Sequence, residues 1–64
     1  MKIKELRISR GLTQEELAQK INVTQGAISQ WEKGLAQPTS DKLPELAKVL
    51  RCSIDELYGN TEEK

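Results

Sequence analysis

Apolar residues recur along this chain at intervals of three and four, and capping residues bound the runs that they form. This spacing predicts five short amphipathic helices and no strand. The first run covers about residues 2–10, and Gly11 can supply the left-handed residue that closes a helix. Ile8 and Val49 fall outside the predicted inward stripes. The predicted core is Ile3, Leu6, Leu12, Leu17, Ala18, Ile21, Val23, Ile28, Trp31, Leu43, Leu46, Ala47, Leu50, Ile54 and Leu57.

The second and third helices are predicted to meet at a tight corner. Thr13 begins the second helix as an N-cap, and Glu16, three residues later, completes a capping box. Asn22 follows the last apolar position, and asparagine tolerates the left-handed backbone that a sharp corner needs. Thr24 then caps the third helix, which ends at Gly34. Two short helices joined by such a corner form a helix-turn-helix.

The third helix has an outer face that is polar, short and nearly uncharged. This face holds Gln25, Gly26, Ser29, Gln30 and Lys33. A glutamine amide can donate to and accept from the N6 and N7 atoms of adenine, and small residues let a helix lie close to base edges. An ordinary solvated helix face is the alternative interpretation. The corner that precedes the helix favours contact with DNA.

Two charged residues occupy positions where the spacing predicts apolar ones. Arg7 lies on the inward stripe of the first helix, four residues after Ile3. Glu32 lies beside Trp31, at the edge of the buried side of the third helix. A buried charge needs a partner of opposite sign, and each of these residues is the obvious candidate for the other. We therefore predict an internal salt bridge between Arg7 and Glu32; two independent surface charges are the alternative.

A loop and a fourth helix are predicted to follow Gly34. Pro38 restricts the loop to extended or turn geometry. Either Thr39 or Ser40 is expected to cap the fourth helix, which runs to about Arg51. Pro44 falls in the first turn of this helix, where its missing N–H donor costs least.

A short fifth helix is predicted near the end of the chain. Ser53 and Glu56 form a second capping box at its start, and Gly59 ends it. Residues 60–64 are all polar and are expected to form a frayed tail. The predicted domain therefore covers residues 1–59, and the tail covers residues 60–64.

Length and composition restrict the class of protein. Sixty-four residues, 36% hydrophobic and 31% charged, are enough for one small domain. Because Cys52 is the only cysteine and histidine is absent, neither an internal disulfide nor a Cys-His metal site is expected. The chain has no glycine-rich phosphate loop, and its paired carboxylates are sequence neighbours, so we predict no enzyme activity, cofactor or metal. No apolar run is long enough for a signal peptide or a membrane span, which predicts a cytoplasmic protein without membrane contact.

The formal net charge is zero, whereas nucleic-acid-binding domains usually carry a basic face. Basic residues are in excess in residues 1–10 and 35–51, and acidic residues are in excess in residues 11–34 and 52–64. Only the face that meets phosphate must be positive. Zero net charge is therefore compatible with DNA binding and predicts modest nonspecific affinity.

From Leu6 to Leu57 the sequence resembles the Xre-type helix-turn-helix family, which includes the DNA-binding domains of phage repressors and Cro proteins. The matching residues are, in order, Leu6-Arg7, Gly11-Leu12-Thr13-Gln14, Glu16-Leu17-Ala18, Val23-Thr24-Gln25, Ile28-Ser29, Trp31-Glu32-Lys33-Gly34, Pro38, Leu46-Ala47 and Leu50. The resemblance implies a compact, all-α, five-helix lambda-repressor-like domain with a central helix-turn-helix. It also agrees with a salt bridge between Arg7 and Glu32. The residues that it implies for DNA contact are Gln14, Thr24, Gln25, Gly26, Ser29, Gln30 and Lys33.

Two features depart from the family's pattern. Gly26 presents no side chain where relatives often place a residue that reads bases. The loop after the third helix often carries basic residues in phage repressors, whereas this chain has only Lys33 before the loop and Lys42 after it. Backbone amides and Gln37 are expected to substitute for those basic residues.

These observations predict a sequence-specific double-stranded DNA-binding transcriptional regulator, and in particular a repressor from a bacterium or its phage. A recognition helix of nine residues covers few base pairs, so we expect a homodimer on an inverted repeat. Ile8, Val49 and Tyr58 are the residues available for weak contacts between the two copies. The alternative function is a protein-interaction module on the same fold, such as an antitoxin or an adaptor.

Overall fold

The computed structural model describes residues 1–59, and the predicted tail, residues 60–64, lies outside the described residues. Within residues 1–59 there are five helices and no strand, which confirms the predicted all-α fold. None of these helices is long and apolar enough to cross a membrane. The helices are α1 (Ile3–Ser9), α2 (Gln14–Lys20), α3 (Gln25–Lys33), α4 (Lys42–Leu50) and α5 (Ile54–Tyr58).

The corner between α2 and α3 forms as its sequence predicts. The Glu16 N–H donates to Thr13 Oγ1 at 3.0 Å, and the Thr13 N–H donates to Glu16 Oε1 at 2.9 Å. These two bonds satisfy amides that the first turn of α2 leaves without helical partners. Asn22 has a φ of 63°, and the chain reverses there into α3. The α3 helix begins after Thr24, whose Oγ1 accepts from the Ala27 N–H, and ends at Gly34 with a φ of 78°.

One continuous core joins all five helices. Its buried residues are Ile3, Leu17, Ala18, Ile21, Ile28, Leu46, Leu50 and Leu57. Partly buried residues surround them, namely Leu6, Leu12, Val23, Trp31, Leu43, Val49 and Cys52. Each helix contributes at least one fully buried apolar side chain, so none can be removed without exposing core surface.

Two core predictions are wrong, and Ala47, also predicted to lie in the core, is only partly buried and is not part of the core cluster. Ile54, predicted to lie in the core, keeps 39% of its surface exposed. It occupies the first position of the five-residue α5, and Leu57 fills the buried position of that short helix. Val49, predicted to lie outside the stripes, is partly buried against the core. Ile8 is 57% exposed, in agreement with its exclusion.

The predicted cap of α4 is also wrong. Asp41, rather than Thr39 or Ser40, precedes the helix, and no side chain caps its first turn. The chain enters α4 through a turn in which the Lys42 N–H donates to the Thr39 carbonyl at 2.9 Å. Asp41 is already in the right-handed helical region, so its side chain is not placed as an N-cap. The Thr39 hydroxyl instead donates to Asp41 Oδ1 at 2.5 Å, and this bond lowers the pKa of Asp41.

The N-terminal helix is held by the C-terminal part of the domain. The Lys2 N–H donates to the Leu57 carbonyl at 2.8 Å. The Arg10 guanidinium reaches the last carbonyls of α4, donating from Nε to Leu50 O at 2.8 Å and from Nη2 to Arg51 O at 3.1 Å. A cation at a helix C-terminus also interacts favourably with the helix dipole. Both ends of α1 are therefore fixed by residues that come forty or more positions later in the chain.

Candidate nucleic-acid interface

The outer face of α3 is exposed to solvent in the part of the chain that the structure describes. Gln25, Gly26, Gln30 and Lys33 are exposed, and Ser29 is partly exposed. Thr24 is exposed as well, at the N-cap position. Its hydroxyl oxygen already accepts the Ala27 N–H, at 3.1 Å, while the hydroxyl hydrogen stays available.

An ion pair fixes the inner side of α3 to α1. Arg7 Nε lies 2.6 Å from Glu32 Oε2, and Arg7 Nη2 donates to Glu32 Oε1 at 3.3 Å. The Arg7 and Glu32 side chains are only 12% and 4% exposed. Arg7 Nη1 also donates to the Leu12 carbonyl at 2.8 Å. A bidentate ion pair of this kind constrains both the distance and the angle between the two side chains, so it fixes the orientation of α3 relative to α1.

Gln14 connects the buried ion pair to the outer face. Its Nε2 donates to Glu32 Oε1 at 2.9 Å, and its Oε1 accepts from Gln25 Nε2 at 3.3 Å. Glu32 is ionised and can only accept, so it dictates that the nitrogen of the Gln14 amide faces inward. The oxygen of Gln14 then faces Gln25. The result is a chain of hydrogen bonds from Arg7 to the first residue of α3.

Sequence reasoning missed this chain of hydrogen bonds, although it named every member. Gln14 and Gln25 are eleven positions apart on different helices, and nothing in their spacing shows that their amides meet. The available signal was the shortness of α2: its seven residues span only about 10 Å, so the turn that joins its end to α3 also keeps its first turn near the start of α3. Gln14 is one of the residues that the resemblance implies for DNA contact, and its second amide hydrogen stays available for a phosphate oxygen.

Hydrogen bonding determines the charge state of Glu32. Burial on its own would raise the pKa of this carboxyl. The hydrogen bonds from Arg7 and Gln14, together with the positive charges of Arg7 and Lys4, outweigh that effect and lower the pKa. The carboxylate therefore stays ionised at neutral pH, which keeps it a strict acceptor for Gln14.

Gly26 leaves a gap on the outer face that packing does not require. A β-carbon added at Gly26 would meet only Thr24 Oγ1, at 3.9 Å, which is ordinary contact. Gly26 also has no positive φ, so its backbone does not need glycine. The first turn of α3 consequently presents bare backbone between the side chains of Gln25 and Ser29.

The loop before α4 offers less to an anion than the outer face of α3. Lys42 Nζ donates to the Ile21 carbonyl at 3.1 Å and lies 3.7 Å from Glu45, so this cation is engaged within the domain. Pro38 is buried, whereas Gln37 is exposed and Leu35 keeps 73% of its surface in solvent. Within residues 1–59 there is no group of acidic or cysteine side chains arranged to hold a metal ion.

Comparison with known proteins finds a helix-turn-helix family and, as individual relatives, transcriptional regulators. The model of a family described as helix-turn-helix matches residues 3–57. The transcriptional activator BcrR of Enterococcus faecalis is 39% identical over 61 residues, which are 95% of this chain and 30% of that protein. The cryptic phage CTXphi transcriptional repressor RstR of Vibrio cholerae is 38% identical over 61 residues, 95% of this chain and 55% of RstR.

A third relative is similar in length to this chain. An uncharacterised HTH-type transcriptional regulator of Archaeoglobus fulgidus is 37% identical over 63 residues, which are 98% of this chain and 90% of that protein. The chain spans less than two thirds of the length of BcrR and of RstR. No solved structure matches the chain significantly.

Proposed function

The chain belongs to the helix-turn-helix family, and on that premise we propose that it is a sequence-specific double-stranded DNA-binding transcriptional regulator whose α3 lies in the major groove. The proposal rests above all on the exposed polar face of α3. This face begins at Gln25, whose amide is hydrogen-bonded to Gln14. The relatives named as transcriptional regulators support it.

The hydrogen bond to Gln14 fixes the orientation of the Gln25 side-chain amide. One N–H of its amide is directed to Gln14, which leaves the amide oxygen and the second N–H for a ligand. Adenine presents a matching acceptor and donor, N7 and N6, on its major-groove edge. Further along α3, the side chains of Ser29, Gln30 and Lys33 form no hydrogen bond or ion pair within residues 1–59. They supply further groups for bases and phosphate.

Phosphate contacts in this proposal come from both ends of the helix-turn-helix. Lys33 lies exposed in the last turn of α3 and would neutralise one phosphate. The second amide hydrogen of Gln14 would meet another without neutralising it. Because Gly26 has no side chain, the start of α3 could lie close to the base edges in the major groove of DNA.

We further propose that two copies bind an inverted repeat and act as a repressor by occupying promoter DNA, in the cytoplasm. An α3 of nine residues is about 14 Å long, which is about four base pairs and too few for useful selectivity. Two copies related by a twofold axis would read half-sites about one helical turn apart. RstR is named a repressor, which supports this direction of control, whereas BcrR is named an activator.

The test is selection from randomised DNA duplexes at a stated salt concentration. We expect the wild-type chain to enrich an inverted repeat, and sedimentation to show two chains on each selected site. The double variant Gln25→Ala, Gln30→Ala should enrich nothing. Gln19→Ala is the matched control, because Gln19 is an exposed glutamine of α2 outside the outer face of α3. Equal enrichment by the double variant would refute DNA reading by α3, and one chain per site would refute the dimer.

A further inference from the structure

A basic groove lies away from the outer face of α3. It has a volume of about 730 Å³ and lies between the end of α1, the end of α2 and α4. Leu12 and Val49 are its apolar lining residues. Its cations are Arg10, Lys20, Lys48 and Arg51, and its one carboxylate belongs to Glu45. We call these seven residues the basic groove.

The positive charge of the basic groove is not balanced within the described chain. Lys20, Lys48 and Arg51 form no ion pair with any carboxylate in residues 1–59. Arg10 uses its guanidinium on two neutral carbonyls, so its charge is not cancelled either. The Glu45 carboxylate lies 3.7 Å from Lys42, a cation outside the groove. Four positive charges therefore share one concave surface in a chain whose formal net charge is zero.

We propose that the basic groove binds an acidic segment of a partner protein, with an apolar side chain on Leu12 and Val49 and carboxylates against the surrounding cations. Complementary charge steers such an encounter and sets its orientation. Burial of an apolar side chain adds affinity that salt does not screen. A groove of this volume is large enough for several side chains of a peptide.

A peptide fits the basic groove better than the DNA backbone does. A phosphate gains nothing from the apolar floor of this groove, and the carboxylate of Glu45 repels it. The same carboxylate can accept a peptide N–H. None of the residues assigned to DNA contact lines the groove. A partner could therefore occupy the groove while α3 occupies DNA.

A second copy of this chain fits less well than a different protein. Its best candidate segment is α5, where Ile54 and Tyr58 are exposed beside Asp55 and Glu56. The Glu56 carboxylate already accepts the Ser53 N–H at 2.8 Å in the capping box. Asp55 and the second carboxylate oxygen of Glu56 would therefore supply at most two negative charges to four cations. The stated occupant is therefore a segment richer in carboxylates than any described helix of this chain.

The experiment is a titration of the isotope-labelled 64-residue chain with a short synthetic peptide in which glutamates flank two leucines. We expect amide chemical shifts of groove residues, including Leu12, Lys48 and Val49, to change. Those of Gln25 and Gln30 should stay unchanged. The variant Lys20→Gln, Lys48→Gln should bind the peptide about tenfold more weakly, because two exposed charge pairs are lost.

Two controls separate this proposal from its rivals. Lys33→Gln removes a cation outside the groove and should bind the peptide as the wild type does, while thermal unfolding shows that every variant stays folded. A peptide with serine in place of both leucines should bind much more weakly. Equal binding of the serine peptide would overturn the proposal. Three other outcomes would also overturn it: amide chemical-shift changes of groove residues on adding a DNA duplex, changes that depend on protein concentration alone and so report self-association, or no change on adding the peptide. Apart from the duplex titration, none of these outcomes depends on whether α3 reads DNA.

Discussion

The inner and outer sides of α3 carry similar kinds of polar side chain that have different roles. On the inner side, Glu32 is almost completely buried and receives three hydrogen bonds, two from Arg7 and one from Gln14. On the outer side, Gln30 and Lys33 are exposed, and their side chains have no partner in residues 1–59. Polarity alone does not distinguish the two sides, because both carry charged or amide groups. The two sides differ in whether those groups have hydrogen-bond partners inside the domain.

This difference separates residues that maintain the fold from residues available to a ligand. A buried group whose partners are all inside the domain contributes to stability, and its loss leaves another buried group unsatisfied. An exposed group with no internal partner costs the fold little when it is removed. Substitutions on the inner side should therefore change unfolding, and substitutions on the outer side should change binding. Four predictions test that separation, in order of decreasing effect.

The largest effect is expected on the inner side. Replacing Arg7 or Glu32 with alanine should lower the free energy of unfolding by about 3 kcal/mol, because each change strands a desolvated charge. Urea denaturation measures the loss. Glu15→Ala is the control, since Glu15 is an exposed carboxylate of α2 and its loss should stay within about 0.5 kcal/mol. A loss for Arg7→Ala or Glu32→Ala as small as that of the control would mean that the inner pair behaves like a surface pair.

The second effect is expected on the outer side. Gln25→Ala and Gln30→Ala should each cost about 1 to 3 kcal/mol of binding free energy on the selected duplex and relax base preference at particular positions. Their unfolding free energies should stay within about 0.5 kcal/mol of the wild type, since both side chains are exposed and the side-chain bond of Gln25 to Gln14 is accessible to solvent. Titrations on duplexes with single base changes, paired with urea denaturation, measure both. A variant that loses stability and keeps its base preference would place that glutamine with the inner side.

A smaller effect should distinguish phosphate contacts from base contacts. Lys33→Ala should weaken binding to every duplex alike and reduce the slope of log affinity against log salt by about one per protomer, because one phosphate contact is lost. Gln14→Ala is the matched comparison. A neutral amide releases no counterion, so its loss should lower affinity and leave the salt slope unchanged. Sequence-dependent losses for Lys33→Ala would mean that Lys33 reads bases.

The smallest effect concerns pH on the inner side. Burial opposes ionisation of Glu32, but hydrogen bonds from Arg7 and Gln14 prevail and hold its pKa below the ordinary 4.5. A lowered folded-state pKa contributes stability that is present above the unfolded-state pKa and is lost as pH falls through the folded-state pKa. Unfolding free energy should therefore fall in that acid range, and less steeply in Glu32→Gln.

Asp41 requires a correction in that pH experiment. Its pKa is also lowered, chiefly by the hydrogen bond from Thr39, so it contributes to the acid loss in both proteins. The difference between wild type and Glu32→Gln removes its contribution. Identical pH profiles for the two proteins would show that the charge of Glu32 does not contribute to stability.

Local signals were enough to predict most of the fold. A capping box involves residues three positions apart, so Thr13 with Glu16 and Ser53 with Glu56 could be identified without tertiary information. The pairing of Arg7 with Glu32, predicted because both interrupt apolar stripes, is present in the structure.

The errors arise where neighbouring elements decide the outcome. The entry into α4 depends on a turn whose backbone makes Asp41 helical, and this overrides the capping preference of Thr39 and Ser40. The exposure of Ile54 depends on how much surface a five-residue helix can bury beside Leu57.

The candidate site could be predicted only residue by residue. The glutamines of the outer face follow from helical spacing, but the bond between Gln14 and Gln25 requires the relative placement of two helices. The basic groove has the same limitation. Its cations come from the ends of three different helices, and the uneven charge along the chain does not show that they share one surface.

The bond from the Lys2 N–H to the Leu57 carbonyl has a consequence for the order in which the domain assembles during synthesis. The ribosome releases α1 before the other four helices, yet Arg10 finds its partners, the Leu50 and Arg51 carbonyls, only at the end of α4. Until α3 has been released, α1 lacks its ion-pair partner Glu32, and a helix of seven residues is unstable alone in water. The contacts of α1 with α3 can therefore form before its contacts with α4 and α5, and the domain closes only when residue 57 has been released.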